Sequence, residues 1–277
     1  APANSVGLNA YENSFTAASV GAFAGGFQTD VQRGIPFPQA VENNKAKLVK
    51  SNVPFIRPEQ LQSFEVGYKG VWGKNLLIDA SFYQSWYTNF LINQVVIRPD
   101  NPVLNADGSV NSAAAQDILN RRTQAFQLYT NAADRVTAQG ASLGLTYMLP
   151  RNFRVNANAT WAKFNLLDAN PNNIPAFNTP EWKTNLTVGN SNLTERLGFS
   201  VAWHWQSAFD WFGTFTELQP GPIPAYSLLD AQVSYQLPAW RTTLKLGANN
   251  LTNQYIMQAF GSPAVGGLYY LSLTYAP

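Results

Sequence analysis

The side chains that could do chemistry are few and scattered. The one histidine, His204, stands among Ser200, Ala202 and Gln206 with no second imidazole or thiol close in sequence, so it reads as a polar wall residue rather than a metal ligand. The absence of cysteine removes disulfides, thiolate metal sites and cysteine nucleophiles. Glu65, Asp79, Glu181 and Asp230 are dispersed carboxylates and do not form an acid/base pair. No phosphate loop or zinc pattern occurs. Val103-x-Asn105-x-Asp107-Gly108 half resembles a calcium loop, but a valine in the first ligand position cannot coordinate, and the stretch is expected to be an ordinary turn. We therefore expect no catalytic residue, no metal and no cofactor.

Composition narrows the setting. Charged residues make up 12% of the 277 positions and aromatics 13%, whereas soluble domains carry about 25% charge. Asn, Gln, Ser and Thr wet the chain in place of Lys and Glu. Net charge is +2 with both signs interspersed, which argues against nucleic-acid binding. No apolar run is long enough for a transmembrane helix, so any membrane crossing must use a β-barrel. Four matches to the glycosylation pattern, beginning at Asn158, Asn185, Asn192 and Asn250, arise by chance in an Asn/Thr-rich chain.

The elements that must position these groups are strands of period two. From Arg57 to Phe90, Phe64, Val66 and Tyr68 oppose Ser63, Glu65, Gly67 and Lys69, and after a tight turn Leu76, Ile78, Ala80 and Phe82 oppose Asp79, Ser81 and Tyr83, with Leu77 as an exception. The second strand is expected to run on to about Ile97. The alternation is clearest at 153–161, where Phe153, Val155, Ala157, Ala159 and Trp161 oppose Arg154, Asn156, Asn158 and Thr160. Burying those amides and that guanidinium in a dry core would cost several kcal/mol, so their face must meet water. Later strands repeat the rule around Leu186, Trp203, Val233 and Leu271. Residues 1–56 are the least periodic part; Gly and Pro punctuate them, which predicts an irregular, loop-rich extracellular segment with one or two helical turns.

Connections carry the next step. Short turns fall near 71–75, 150–152, 190–195 and 238–241, and long loops near 98–120, 168–178, 209–224 and 251–266. They alternate strictly, as they do in outer-membrane barrels with short periplasmic turns and long extracellular loops. The expected fold class is all-β: an antiparallel transmembrane β-barrel over residues 57–277.

The same residues resemble a known family. RPEQLQSFEVGYKG (57–70) followed by LLIDASFYQSWYTNF (76–90) resembles the C-terminal barrel of TonB-dependent outer-membrane receptors, with a Bacteroidota-like flavour. Further motifs at Tyr129–Thr160, Asn178–Trp182, Tyr226–Tyr235, Leu246–Tyr255 and Gly261–Tyr275 continue the likeness in order. The resemblance implies roughly nine or ten strands of a barrel of about 22, in the bacterial outer membrane. The family's plug and TonB box have no counterpart here. The expected partners are therefore outer-membrane lipid, a remaining N-terminal barrel and plug in the same parent chain or a separate polypeptide, and the TonB system acting through the plug. Nine strands alone would leave an unpaired edge in lipid. Ala276-Pro277 also departs from the usual final aromatic.

On this reading Glu65, Asp79, Arg154, Asn156, Asn158, His204, Gln206, Asp230, Gln232 and Lys245 face the lumen, and Trp211, Phe212, Phe215 and Phe260 lie in extracellular loops where a substrate could touch them. The expected function is uptake of a substrate across the outer membrane. Two alternatives stand beside it: a non-transporting barrel scaffold in an envelope assembly, and a secreted carbohydrate-binding β-sandwich.

Overall fold

A computed structural model describes residues 6–133, 135–166, 173–174, 177–213 and 221–276. In chain order its elements begin with α1 (Val6–Glu12), β1 (Phe15–Thr16), α2 (Ala17–Gln32) and α3 (Phe37–Asn44), followed by β2 (Gln60–Trp72), β3 (Leu76–Thr88), β4 (Leu91–Pro99), α4 (Ser112–Leu119) and β5 (Thr123–Asn131). Next come β6 (Val136–Met148), β7 (Phe153–Leu166), β8 (Asn173–Ile174), β9 (Trp182–Asn190) and β10 (Leu197–Gln206). The chain closes with β11 (Phe209–Trp211), β12 (Gly221–Ile223), β13 (Tyr226–Leu237), β14 (Thr242–Asn249) and β15 (Leu268–Tyr275).

Nine of these strands make one sheet in the order β15-β14-β13-β10-β9-β7-β6-β3-β2. Every pair in it is antiparallel, so the sheet is a meander. Register follows the alternation: Val66 faces Phe82, Val201 faces Val188 and Ala231, and Leu246 faces Val233 and Leu271. Among the described residues the apolar face packs on no second sheet, with Phe64 at 58%, Leu271 at 67% and Leu273 at 68% exposure, and this corrects the β-sandwich alternative. Antiparallel neighbours can be joined by tight turns, and 73–75, 149–152, 191–196 and 238–241 do so at one end of the sheet. At the other end lie 89–135, 167–181, 207–225 and 250–267.

Most of the buried core lies outside this sheet. Phe15, Phe23, Val41, Leu48, Val103, Ala114 and Ala115 form one cluster, and Ala10, Val53, Val96 and Leu128 a second. Both join the N-terminal segment to the β3–β6 connection, building a cap at the long-connection end. The expectation of one or two helical turns in residues 1–56 is corrected here, because its described residues carry α1, α2 and α3, the second of them 16 residues long. Thr16 caps α2 by accepting from the Ser19 amide. Pro38 sits in the first turn of α3, where its missing N–H costs nothing. Gly26 lets Lys47 and Asn44 close onto α2, since a Cβ there would collide with both.

The strand expected to run to Ile97 breaks at Asn89, whose φ is 55°. β4 then pairs with β5, β1 and β8 in a separate sheet. Asn131 holds the break: its Nδ2 donates to the carbonyls of Asn89 (2.6 Å) and Arg57 (3.0 Å), and its Oδ1 accepts from the Arg57 amide. Buried Asp117 accepts from the Asn101 amide and Nδ2 at 2.8 Å and pairs with Arg122 at 2.7 Å, tying α4 to the end of β4. The 104–110 stretch is a turn in which Asp107 Oδ1 accepts from the Ser109 amide and hydroxyl. Glu42 on α3 accepts from Lys45 and from Ser112 on α4, and those bonds hold its carboxyl below the usual carboxylate range.

Candidate functional site

The opposite face of the nine-stranded sheet is polar, and its residues pair with one another across the strands. Ser63 bonds Ser85, Ser81 bonds Ser142, and Thr146 donates to Asn156. Lys69 pairs with Asp79 at 2.9 Å. A longer relay crosses β7, β9, β10 and β13. Asn158, Asn185 and His204 share one row of the register. Asn185 Nδ2 donates to Asn158 Oδ1 (2.8 Å), and Asn185 Oδ1 lies 2.6 Å from His204 Nδ1. His204 Nε2 is 3.3 Å from Asp230 Oδ2. Asp230 Oδ1 accepts from the Asn250 amide at 2.7 Å, where the β14–β15 connection begins. Both imidazole nitrogens thus lie beside side-chain oxygens, Nδ1 beside Asn185 and Nε2 beside Asp230.

The register places all ten candidates on this one face. Arg154, Asn156 and Asn158 come from β7, His204 and Gln206 from β10, Asp230 and Gln232 from β13, Lys245 from β14, Asp79 from β3 and Glu65 from β2. Not all of them touch. The relay gathers Asn158, His204 and Asp230; Gln232 instead accepts from Tyr270 at 3.0 Å. Tyr270's ring lies over Gly247, where no Cβ would fit. Arg154 Nε meets Met148 Sδ at 3.4 Å. Glu65 stands opposite Tyr83, and Gln206 between Lys183 and Tyr226.

Toward the short-turn end the polar face forms a hollow of about 600 Å³. Arg154 and Lys245 reach it from either side, with Thr187, Gly189, Ser200 and Ser234 between them.

The loop aromatics divide. Asn178 clamps the Phe212 backbone from both sides, donating to its carbonyl (2.8 Å) and accepting from its amide (2.7 Å). Trp211 lies on β11, paired with β12, and the ring of Phe260 packs against Gly221 of β12, so the β10–β13 and β14–β15 connections meet. Phe215 lies outside the described residues. Asn185, Tyr270, Asn250 and Asn178 complete these arrangements and were not among the candidates. Parity alone puts Asn185 and Tyr270 on the polar face, whereas nothing in the loop sequence marks Asn178 or Asn250.

Comparison with known proteins gives a consistent result. Residues 4–251 match the family model described as TonB dependent receptor-like, beta-barrel. No curated protein sequence matches the chain. Among solved structures, the chain is similar to the copper transporter OprC (TM-score 0.56, 14% identity, 79% of this chain and 31% of that one). It is also similar to the FrpB iron transporter from Neisseria meningitidis (TM-score 0.55, 13% identity, 78% and 31%). A third is the siderophore receptor PirA from Acinetobacter baumannii (TM-score 0.52, 15% identity, 79% and 32%). At these identities the likeness is one of fold, and this chain spans about a third of each of those chains.

Proposed function

The chain belongs to the TonB-dependent receptor-like β-barrel family, and from that premise we propose that it supplies the C-terminal portion of an outer-membrane receptor that takes up a substrate in a TonB-dependent manner. The observation that carries this reading is the two-faced meander. An apolar face of Leu, Val, Trp and Tyr has no protein partner among the described residues, and a face of Asn, Ser, Thr and paired charges lies opposite it. In a closed barrel the first face meets lipid and the second lines a wet lumen. The short turns then lie in the periplasm, and the cap and long loops outside the cell. Substrate first meets the loop side, where Trp211, Phe212 and Phe260 gather, and passes the polar wall when a plug, driven through TonB, rearranges.

The test is growth on, or uptake of, candidate substrates in a strain carrying the intact gene, with and without a functional TonB system. The reading expects uptake that disappears when the TonB system is lost. Uptake unaffected by TonB loss would contradict it.

A further inference from the structure

The four short turns share a composition that the fold does not require. Each holds one cation: Lys74 in the β2–β3 turn, Arg151 in β6–β7, Arg196 in β9–β10 and Arg241 in β13–β14. All four are exposed, and among the described residues none of them is in an ion pair. Glu195 is the one acid in these turns. At the other end of the sheet the connections 167–181, 207–225 and 250–267 reverse the balance, with Asp168, Glu181, Asp210 and Glu217 and no Lys or Arg. The cap mixes both signs.

Turn geometry does not explain the cations. Arg151 and Arg241 have φ of 59° and 50°, in the left-handed region where Gly or Asn fits with less strain. Arginine there goes against the backbone preference, so the charge answers to something outside the turn. Each cation also has an exposed apolar companion a few residues before it. Trp72 (73% exposed) precedes Lys74 and Trp240 (72%) precedes Arg241, while Leu149 and Leu193 are exposed ahead of Arg151 and Arg196.

That pairing selects the occupant. Turns of three to six residues are too short to leave the polar layer of a bilayer, which is roughly 5–7 Å deep on each side of the hydrocarbon. A soluble acidic protein or glycan would answer the charges and leave the tryptophans and leucines in water. A phospholipid answers both, its phosphate meeting the cation and the layer beneath taking the apolar group.

We infer that the rim of short turns is a docking surface for anionic phospholipid of the leaflet in which it lies. The inference rests on the membrane-spanning reading above and adds the charge of the lipid that this rim engages.

The test exposes the intact receptor, purified in an uncharged detergent, to equal amounts of phosphatidylglycerol and phosphatidylcholine and counts the lipids retained by native mass spectrometry. One basic group beside an anionic surface is worth about fivefold, so the parent is expected to hold phosphatidylglycerol at least about fivefold over phosphatidylcholine. Lys74→Gln/Arg151→Asn/Arg196→Gln/Arg241→Asn, whose asparagines suit the left-handed positions, is expected to bring the ratio near one. Arg151→Lys/Arg196→Lys/Arg241→Lys is expected to keep the preference, as is Arg33→Gln/Lys50→Gln in the cap. Trp72→Ser/Trp240→Ser, with every cation in place, is expected to cut phosphatidylglycerol retention about threefold. Equal retention of the two lipids by the parent overturns the inference, as does a preference that survives the quadruple change or is abolished by the cap variant. Undiminished retention in the tryptophan variant would reduce the rim to a site for any anion and overturn lipid docking. Such failures leave TonB-dependent uptake standing; a lipid preference carried by the turns in a receptor whose uptake ignores TonB would sink the transport reading alone.

Discussion

At the scale of single residues, the Asn158–Asn185–His204–Asp230 relay depends on its second member, because Asn185 donates to one neighbour and accepts beside the other. Replacing it with leucine leaves Asn158 Oδ1 and His204 Nδ1 without their bonds. As the relay is only partly buried, the loss is expected to be about 1 kcal/mol, read as a lower denaturation midpoint in detergent; an unchanged midpoint in Asn185→Leu would show that the bonds carry nothing. Glu42 gives the cap a pH response. Its carboxyl is depressed by the Lys45 bond first and the Ser112 bond second, so its contribution is complete above the ordinary carboxylate range. That contribution is lost as pH falls through the lowered folded-state value. Protection from hydrogen exchange at α3 and the start of α4, relative to the intrinsic rate at each pH, should therefore fall on acidification in the parent and much less in Glu42→Gln, already loosened at neutral pH. Equal acid responses in the two proteins would rule out this role.

At the scale of elements, the two faces of each strand make opposite demands. Val201, in the middle of β10 on the apolar face, is expected to cost about 2–4 kcal/mol when changed to Arg, and Thr187→Arg on the polar face less than about 1 kcal/mol. Folding yield into lipid vesicles against denaturant compares them, and equal penalties would remove the distinction between faces. This two-faced pattern was legible because a strand's period is fixed: parity alone put Arg154, His204, Gln232 and Lys245 on one side. What parity cannot supply is which row of one strand meets which row of the next, so Asn185's role between Asn158 and His204 was not readable. The break at Asn89 was hidden for a related reason. Apolar groups continue to recur through Ile92, Val95 and Ile97, and the side chain that holds the break, Asn131, lies 42 residues away. The cap helices escaped because their cues point the wrong way. Gly25 and Gly26 interrupt α2, Pro38 opens α3, and α2 buries only Ser19 and Phe23, against partners far along the chain.

At the scale of the whole molecule, hydrophobic side chains are handled in two ways. In the cap they bury against protein, as Phe15, Phe23 and Val103 do, at full or nearly full burial. On the sheet, side chains of the same kinds stay open on one face and would be stabilised only by an apolar solvent, at roughly 1.5–3 kcal/mol for each large group covered. A water-facing role would waste that second set and strand the polar face against it. A bilayer satisfies both, provided the short turns and the cap lie on opposite sides of it.

That sidedness is the central claim, and the lack of cysteine in these 277 residues makes it directly measurable in a parent receptor cleared of any thiol elsewhere. In that background Ala106→Cys in the cap and Lys74→Cys in the β2–β3 turn are introduced one at a time. In intact cells, a membrane-impermeant maleimide is expected to label Cys at 106 and to spare Cys at 74 until the outer membrane is permeabilised. Labelling of position 74 in intact cells, with 106 protected, would invert the arrangement and contradict the account.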